Sequence, residues 1–191
     1  MASNLSLISE AEILTLVRDG DTRAYGELYN RYLDEIYRYL YFRVARNQPE
    51  AEDLAQEVFL KGWKALTSGS RSRKKSNFRA LLYRIAHNLA VDRWRTEKDE
   101  MSLEDGRPSI QASEDEMPEY QILTTEQNQE LAAAIRELDP NLQDVFICRF
   151  INVLSHAETA QILGLKIGHV RVLQHRALKQ IRITIKDPGG D

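Results

Sequence analysis

Apolar residues recur at helical spacing in two separate stretches of this chain, and nowhere do they alternate over the length of a strand. Side chains three or four positions apart share one face of a helix, so each periodic segment has an apolar side that must pack against another element. Gly and Pro are few and cluster at breaks between these segments. The pattern predicts an all-α protein made of two small helical domains.

The first periodic stretch predicts a domain at residues 1–98. A capping-box pattern, Ser9 with Glu12, indicates a helix start, because Ser and Glu at this spacing satisfy backbone N–H groups reciprocally. A polar loop with four basic residues at 67–77 separates the last two helices. The predicted helix starts are at Ser9, at Asp21 or Thr22, at Pro49 and at about Phe78.

The second periodic stretch predicts a domain at residues 127–186. A second capping-box pattern, Ser155 with Glu158, starts a helix that ends before Gly164, and a basic helix follows from about Lys166. A helix, a three-residue turn starting at Gly and a basic helix form the helix-turn-helix pattern. Simple core packing of two amphipathic helices is the alternative interpretation.

Charge is distributed unevenly along the chain. The net charge of −3, from 26 basic and 29 acidic residues, argues against a protein uniformly coated with basic charge. By segment, however, residues 60–98 carry +9, residues 99–130 carry −9 and residues 164–186 carry +6. Such asymmetry suggests that the two basic segments contact a polyanion, although each could also be a solvated face. Residues 99–126 lack clear helical periodicity and are predicted to be an acidic linker.

Several protein classes are excluded by what the sequence lacks. No apolar run approaches the roughly 18 residues of a membrane span, and the N-terminus does not resemble a signal peptide. One cysteine, Cys148, forbids an intrachain disulfide, and four scattered histidines do not fit a zinc site. We expect a soluble, cytoplasmic protein without membrane insertion, metal, cofactor or enzymatic activity. Cys148 is expected to be a buried core thiol, with a redox sensor as the alternative.

Three motifs together resemble a known family. Residues 52–59, Glu-Asp-Leu-Ala-Gln-Glu-Val-Phe, look like the signature of sigma region 2.2, and residues 77–92 resemble region 2.4. Residues 154–160 with 170–178 resemble region 4. In this order, the motifs resemble an extracytoplasmic-function (group 4) sigma factor of the sigma-70 family.

The resemblance implies a two-domain transcription initiation factor with RNA polymerase, promoter DNA and an anti-sigma factor as partners. The first domain would bind the clamp helices of core polymerase and capture the melted non-template strand at the minus-ten element. The second domain would bind the polymerase flap and read the minus-thirty-five element as duplex. The polymerase-binding residues implied are Asp53, Leu54, Gln56, Glu57 and Phe59.

The resemblance also implies two sets of DNA-binding residues. Apolar periodicity favours a core position for Phe78, although the family pattern places it near the minus-ten element. The minus-ten set comprises Arg71, Arg73, Lys74, Lys75, Asn77, Phe78, Arg79, Tyr83, Arg84, Asn88, Asp92, Arg93 and Arg95. The minus-thirty-five set comprises Ser155, Lys166, His169, Arg171, Gln174, His175, Arg176 and Lys179.

The chain departs from the family pattern at a few positions. Leu81 stands where the family usually has Trp, and Lys166 replaces the Ser or Thr that commonly caps the recognition helix. A stand-alone helix-turn-helix regulator is the alternative function. That alternative leaves the region 2.2 motif at 53–57 without a role.

Overall fold

The computed structural model describes residues 8–44, 47–68, 77–101 and 126–186. Over these ranges the chain forms eight α-helices, one π-helical turn and no strand, which confirms the all-α prediction. The helices are α1 (Glu10–Arg18), α2 (Thr22–Arg43), α3 (Gln48–Thr67), α4 (Phe78–Met101), α5 (Glu126–Arg136), α6 (Pro140–Phe146), α7 (His156–Leu163) and α8 (Ile167–Lys186), with the π turn at Ile147–Ile151 between α6 and α7. We call α1–α4 the N-terminal unit and the rest, α5–α8 with the π turn, the C-terminal unit.

The helices of the N-terminal unit begin where the sequence predicts. The Ser9 side chain accepts a hydrogen bond from the Glu12 backbone, and the Glu12 carboxylate accepts one from the Ser9 N–H at 2.8 Å. Asp21 caps α2 by accepting from two backbone N–H groups. Asn47 caps α3, so Pro49 lies within its first turn.

Aromatic rings fill the centre of the N-terminal unit. Phe78 is fully buried, and its ring centroid lies 6.3 Å from that of Tyr25 and 5.9 Å from that of Tyr32. Helices α3 and α4 approach closely at Gly62, where an added Cβ would lie 2.9 Å from Cδ2 of Leu82. This packing fixes the orientation of α3 and α4, the two helices that carry the motifs of this unit.

The π turn is a feature that the sequence analysis did not predict. Apolar spacing predicted a regular helix with Phe150 on its buried face. In the structure the wider turn changes the helical phase, so Phe150 is 39% exposed while Cys148 is fully buried. The chain then reverses at Val153, whose φ is +53°.

The helix-turn-helix is present as predicted. Ser155 and Glu158 form the capping box of α7, and Gly164 ends the helix in the left-handed conformation with φ +66°. The Leu165 N–H donates to the Ala160 carbonyl, which closes the turn as in a Schellman motif. Helix α8 then packs its apolar side, Val170, Leu173, Ala177 and Ile181, into the C-terminal unit.

The two units pack against each other. Helix α7 lies on α4, and the π turn lies on α2. Helix α4 continues to Met101, beyond the predicted domain end at 98, and residues 102–125 of the predicted linker lie outside the described residues. No helix in the described ranges is long and apolar enough to cross a membrane.

Candidate functional site

One face of α3 carries the exposed part of the predicted polymerase-binding set. Asp53, Gln56 and Glu57 are exposed, and they share a face because they lie at positions i, i+3 and i+4. Leu54 and Phe59 are buried, so they anchor α3 in the core and leave the surface to the polar residues.

Leu60 completes this α3 face and was missed by sequence reasoning. It lies one turn after Gln56 and Glu57 and is 53% exposed, an unusual position for a large apolar side chain. Its place on the polar side of an amphipathic helix was the signal that could have identified it. Glu57 pairs with Lys61 at 2.8 Å, but both side chains are exposed, so this pair adds little stability.

A second surface runs along the exposed side of α4. Arg84, Asn88, Asp92 and Arg95 are all exposed and lie three or four residues apart, which aligns them in one row. Each belongs to the predicted minus-ten set. The predicted loop residues Arg71, Arg73, Lys74 and Lys75 lie outside the described residues.

Other members of the minus-ten set have structural contacts. The Asn77 side chain accepts from the Ala80 N–H at 3.3 Å, so it supports the start of α4. Phe78 is in the core, as its periodicity favoured. Arg93 pairs with Glu50 of α3 at 2.6 Å.

Arg79 connects three helices. Its Nη2 lies 2.7 Å from the Glu35 carboxylate on α2, and its Nη1 lies 2.9 Å from the Glu158 carboxylate on α7. The hydrogen bonds to Glu35 raise the pKa of Arg79 above its ordinary value. Arg79 is therefore a cation already neutralised by two carboxylates of the same chain.

Tyr83 lies in the interface between the units. It is fully buried, its hydroxyl donates to Glu35 at 3.3 Å, and it accepts from the Asn152 side chain at 2.5 Å. Burial raises the pKa of the Tyr83 hydroxyl, which stays protonated as a donor. In this conformation Tyr83 has no surface available for a base to stack on.

A buried ion pair lies beside it. Asp144 of α6 accepts from Arg43 at 2.6 Å and from Tyr39 at 3.0 Å, and its second oxygen lies 3.5 Å from Nδ1 of His87. Burial alone would raise the pKa of Asp144. The hydrogen bond from His87 and the charge of Arg43 outweigh burial and hold that pKa below its ordinary value. Asp144 is therefore ionised.

Helix α8 carries the third surface. Of the predicted minus-thirty-five residues, only Gln174 is half-buried on this helix, where it accepts from Arg149 of the π turn at 3.0 Å. Ser155 is exposed but is used as the cap of α7. The remaining predicted residues are exposed at the turn and along α8: Lys166, His169, Arg171, His175, Arg176 and Lys179.

The chemistry of these surfaces is that of binding. In the described ranges, no group of three or more His, Cys, Asp or Glu side chains is arranged to hold a metal ion. The three surfaces are instead a polar α3 face with a central leucine, a polar and basic α4 row and a basic helix at the end of a helix-turn-helix.

Two family descriptions match the chain. Sigma-70 region 2 matches residues 28–100, which include α3 and nearly all of α4. Sigma-70 region 4 matches residues 134–182, which include the helix-turn-helix.

Curated relatives show the same similarity along most of the chain. The ECF RNA polymerase sigma factor BldN of Streptomyces coelicolor is 32% identical over 176 residues, and the match covers 92% of this chain and 66% of that protein. The ECF RNA polymerase sigma factor SigW of Bacillus subtilis is 30% identical over 179 residues, with 90% of this chain and 94% of that protein covered.

Solved structures share the fold. The structure of CnrH in complex with the cytosolic domain of CnrY matches with a TM-score of 0.69 and 20% identity, covering 94% of this chain and 98% of that one. The sigma factor RpoE in complex with the anti-sigma factor NepR from Bartonella quintana also matches with a TM-score of 0.69, at 21% identity, covering 86% and 98%.

Proposed function

Because the chain belongs to the extracytoplasmic-function group of the sigma-70 family, we propose that it is an alternative sigma factor that directs core RNA polymerase to promoters. One observation carries this proposal: a single chain presents both the exposed α3 face and the exposed basic helix of a helix-turn-helix. A stand-alone helix-turn-helix regulator needs only the second. The region 2 match therefore favours the sigma factor over that alternative.

The α3 face is proposed to dock on the clamp helices of core polymerase. Asp53, Gln56 and Glu57 offer carboxylate and amide groups around the exposed Leu60. An apolar centre with a polar rim is the usual composition of a protein–protein contact. Residues 1–98 would hold this contact together with the minus-ten contact.

The exposed α4 row is proposed to receive the melted non-template strand. Arg84 and Arg95 can neutralise phosphates, while Asn88 can donate to and accept from the edges of bases. Such a groove needs basic charge along the backbone of the strand. The basic loop residues 71–75 would extend this surface.

Helix α8 is proposed to read the minus-thirty-five element as duplex. The first residues of a recognition helix enter the major groove, which here assigns His169 and Arg171 to base edges. Arg176 and Lys179, farther along the helix, would neutralise phosphates. Residues 127–186 would carry this contact and the contact with the polymerase flap, and residues 99–126 would link the two domains.

Two further features follow from the same proposal. RpoE, a protein of the same fold, is solved in complex with an anti-sigma factor, so we expect an anti-sigma partner for this chain. As an initiation factor acting on RNA polymerase, the protein would work in the bacterial cytoplasm and leave catalysis to the polymerase.

Run-off transcription tests the proposal directly. The purified protein is combined with core polymerase and screened against promoter fragments from the source genome, and specific transcripts are expected that core polymerase alone does not produce. If no fragment yields such a transcript, the protein is not a sigma factor.

Matched variants then test the docking face. Leu60→Asp and Asn30→Asp each place a carboxylate at an exposed helical position, the former on the α3 face and the latter on α2. Leu60→Asp should weaken core binding at least about tenfold, because a central apolar contact is lost and a charge is desolvated. Asn30→Asp should leave it unchanged. Equal affinities would place the docking face elsewhere.

A further inference from the structure

The interface between the two units is polar in a place where a permanent core would be apolar. Among the described residues, five polar or charged residues are buried, and four of them lie in this interface. Interfaces between domains that separate are more polar than permanent interfaces, because each side must also be stable in water. The four residues are Arg43, Gln143, Asp144 and Asn152.

Two helices of the N-terminal unit supply one side of this interface. On each helix three polar residues recur at positions i, i+4 and i+8, so they form a row on one face. We call the two rows together the α2–α4 surface. It consists of Glu35, Tyr39 and Arg43 on α2 and of Arg79, Tyr83 and His87 on α4.

Each residue of the α4 row is bonded to a residue of the C-terminal unit. Arg79 contacts Glu158 at 2.9 Å, and Tyr83 contacts Asn152 at 2.5 Å. His87 lies 3.5 Å from Asp144. Arg79 and Tyr83 belong to the predicted minus-ten set, so the C-terminal unit covers part of the surface that would bind the strand.

We propose that this arrangement is a closed state of the protein, and that the two units must separate before α4 can receive a melted promoter strand. The proposal deepens the proposed function and rests on it for the identity of the strand. The closed state is stabilised by groups of the same chain that occupy the positions of the nucleic acid: Glu158 binds Arg79 as a phosphate would, and Asn152 bonds Tyr83 as a base would. Opening therefore exchanges internal bonds for bonds to the strand.

Asp144 is the residue on which the closed state depends most. All of its described side-chain partners, Tyr39, Arg43 and His87, lie in the N-terminal unit. Removing its charge leaves Arg43 buried without a counter-ion as long as the units stay together. Once they separate, water reaches Arg43, so the penalty falls on the closed state and spares the fold of each unit.

The only cysteine of the chain provides a native probe of opening. Cys148 is fully buried in the π turn, next to Asp144 in the helical turn and within electrostatic reach of Tyr39 and Tyr83 across the interface. A thiol reagent such as dithiobis(nitrobenzoate) can reach it only when the interface opens. At rapid opening and closing, the reaction rate is proportional to the open fraction.

The test compares Asp144→Asn with Glu27→Gln in the full chain. Each change neutralises one carboxylate of an ion pair, but the Glu27–Arg31 pair lies within α2 and does not cross the interface. Asp144→Asn should raise the reaction rate of Cys148 on the order of 100-fold, which corresponds to about 3 kcal/mol. Glu27→Gln should react at the wild-type rate. An unchanged rate in Asp144→Asn would overturn the proposal.

A urea series and a milder variant separate opening from unfolding. Separation of the units exposes less surface than global unfolding, so the rate should rise only shallowly with urea below the unfolding transition. Glu158→Gln keeps the cap of α7, since Gln also serves in a capping box, yet it removes the ion pair with Arg79. Because this pair is partly exposed, its rate should rise only about two- to fivefold. A steep urea dependence from zero urea in every variant would show that only unfolding exposes Cys148, and the closed state would be rejected.

The link to promoter binding is tested on the same variants. Apparent affinity falls with the fraction of competent molecules, so Asp144→Asn should assemble with core polymerase and promoter DNA at lower concentration than wild type. A raised thiol rate with unchanged assembly would show that the C-terminal unit does not block the strand. If neither wild type nor variants assemble with core polymerase, the proposed function fails, while the thiol rates still decide whether the closed state exists.

Discussion

The two basic helices, α4 and α8, differ in what their charges face. In α4, Arg79 is paired with two carboxylates and Arg93 with one. For the cations of α8, no acidic side chain in the described ranges lies within ion-pair distance. Helix α8 can therefore bind phosphates as it stands, whereas α4 must first exchange internal partners.

This difference fits the two forms of DNA that the helices are proposed to bind. Duplex DNA is present before polymerase acts, and an exposed cationic helix binds it by releasing counterions. A melted strand appears only during initiation. A surface that is partly neutralised until then binds less non-specific nucleic acid.

The largest expected effect separates core from surface within α4. Phe78→Ala should lower the free energy of unfolding by about 4 kcal/mol, because Phe78 is fully buried between two tyrosine rings. Urea denaturation followed by circular dichroism measures this change. Leu81→Ala is the control, since Leu81 is only half-buried and should cost less. Equal costs would contradict the assignment of Phe78 to the core.

Removing charge from α8 should have the next largest effect. Each phosphate contact contributes roughly a factor of ten to duplex affinity near 0.1 M salt, so Arg171→Ala with Arg176→Ala should weaken minus-thirty-five binding about 100-fold. The salt dependence of binding, measured by anisotropy with a labelled duplex, should become shallower by about two units of slope.

A neutral change on the same helix is the control for this double variant. Val172 lies between the two arginines in sequence and is 47% exposed, so Val172→Ala should keep the salt slope. If the double variant retained the wild-type slope, α8 would not be the helix that faces the phosphates.

Within α4, the comparison predicts a smaller difference between two arginines. Arg84 is exposed, whereas Arg79 is already paired. Arg84→Ala should weaken capture of the melted non-template strand about five- to tenfold, and Arg79→Ala should weaken it less because the lost cation was neutralised and the closed state also loses a bond. Anisotropy of a labelled single strand with the polymerase complex measures both. A greater loss in Arg79→Ala would mean that α4 binds DNA through its covered side.

The sequence was sufficient to predict the helices and their starts. Capping residues and apolar spacing are local signals, so the two capping boxes and the turn at Gly164 could be located from nearby residues alone. The exposed residues of α8 were identified for the same reason.

The interface between the units could not be predicted in this way. Arg43 and Asp144 are about 100 positions apart, and nothing local distinguishes Arg43 from a solvated charge. The π turn was missed because it shifts the helical phase without a change in residue type. Arg79 and Tyr83 were therefore assigned to DNA with no indication of their partners in the C-terminal unit.

The smallest expected effect concerns the turn that carries Asn152 into the interface. Val153 has φ +53°, a left-handed conformation that costs a β-branched residue about 1–2 kcal/mol, and its side chain is 78% exposed, so it has little packing to lose. Val153→Gly should raise the free energy of unfolding by about 1 kcal/mol, because relief of strain exceeds the entropy that glycine adds to the unfolded chain. Gly164→Ala, at φ +66°, is the reverse change and should lower it by a similar amount. Urea denaturation of both variants decides: destabilisation by Val153→Gly would show that the turn is not strained, and the C-terminal unit would then hold Asn152 against Tyr83 without local strain.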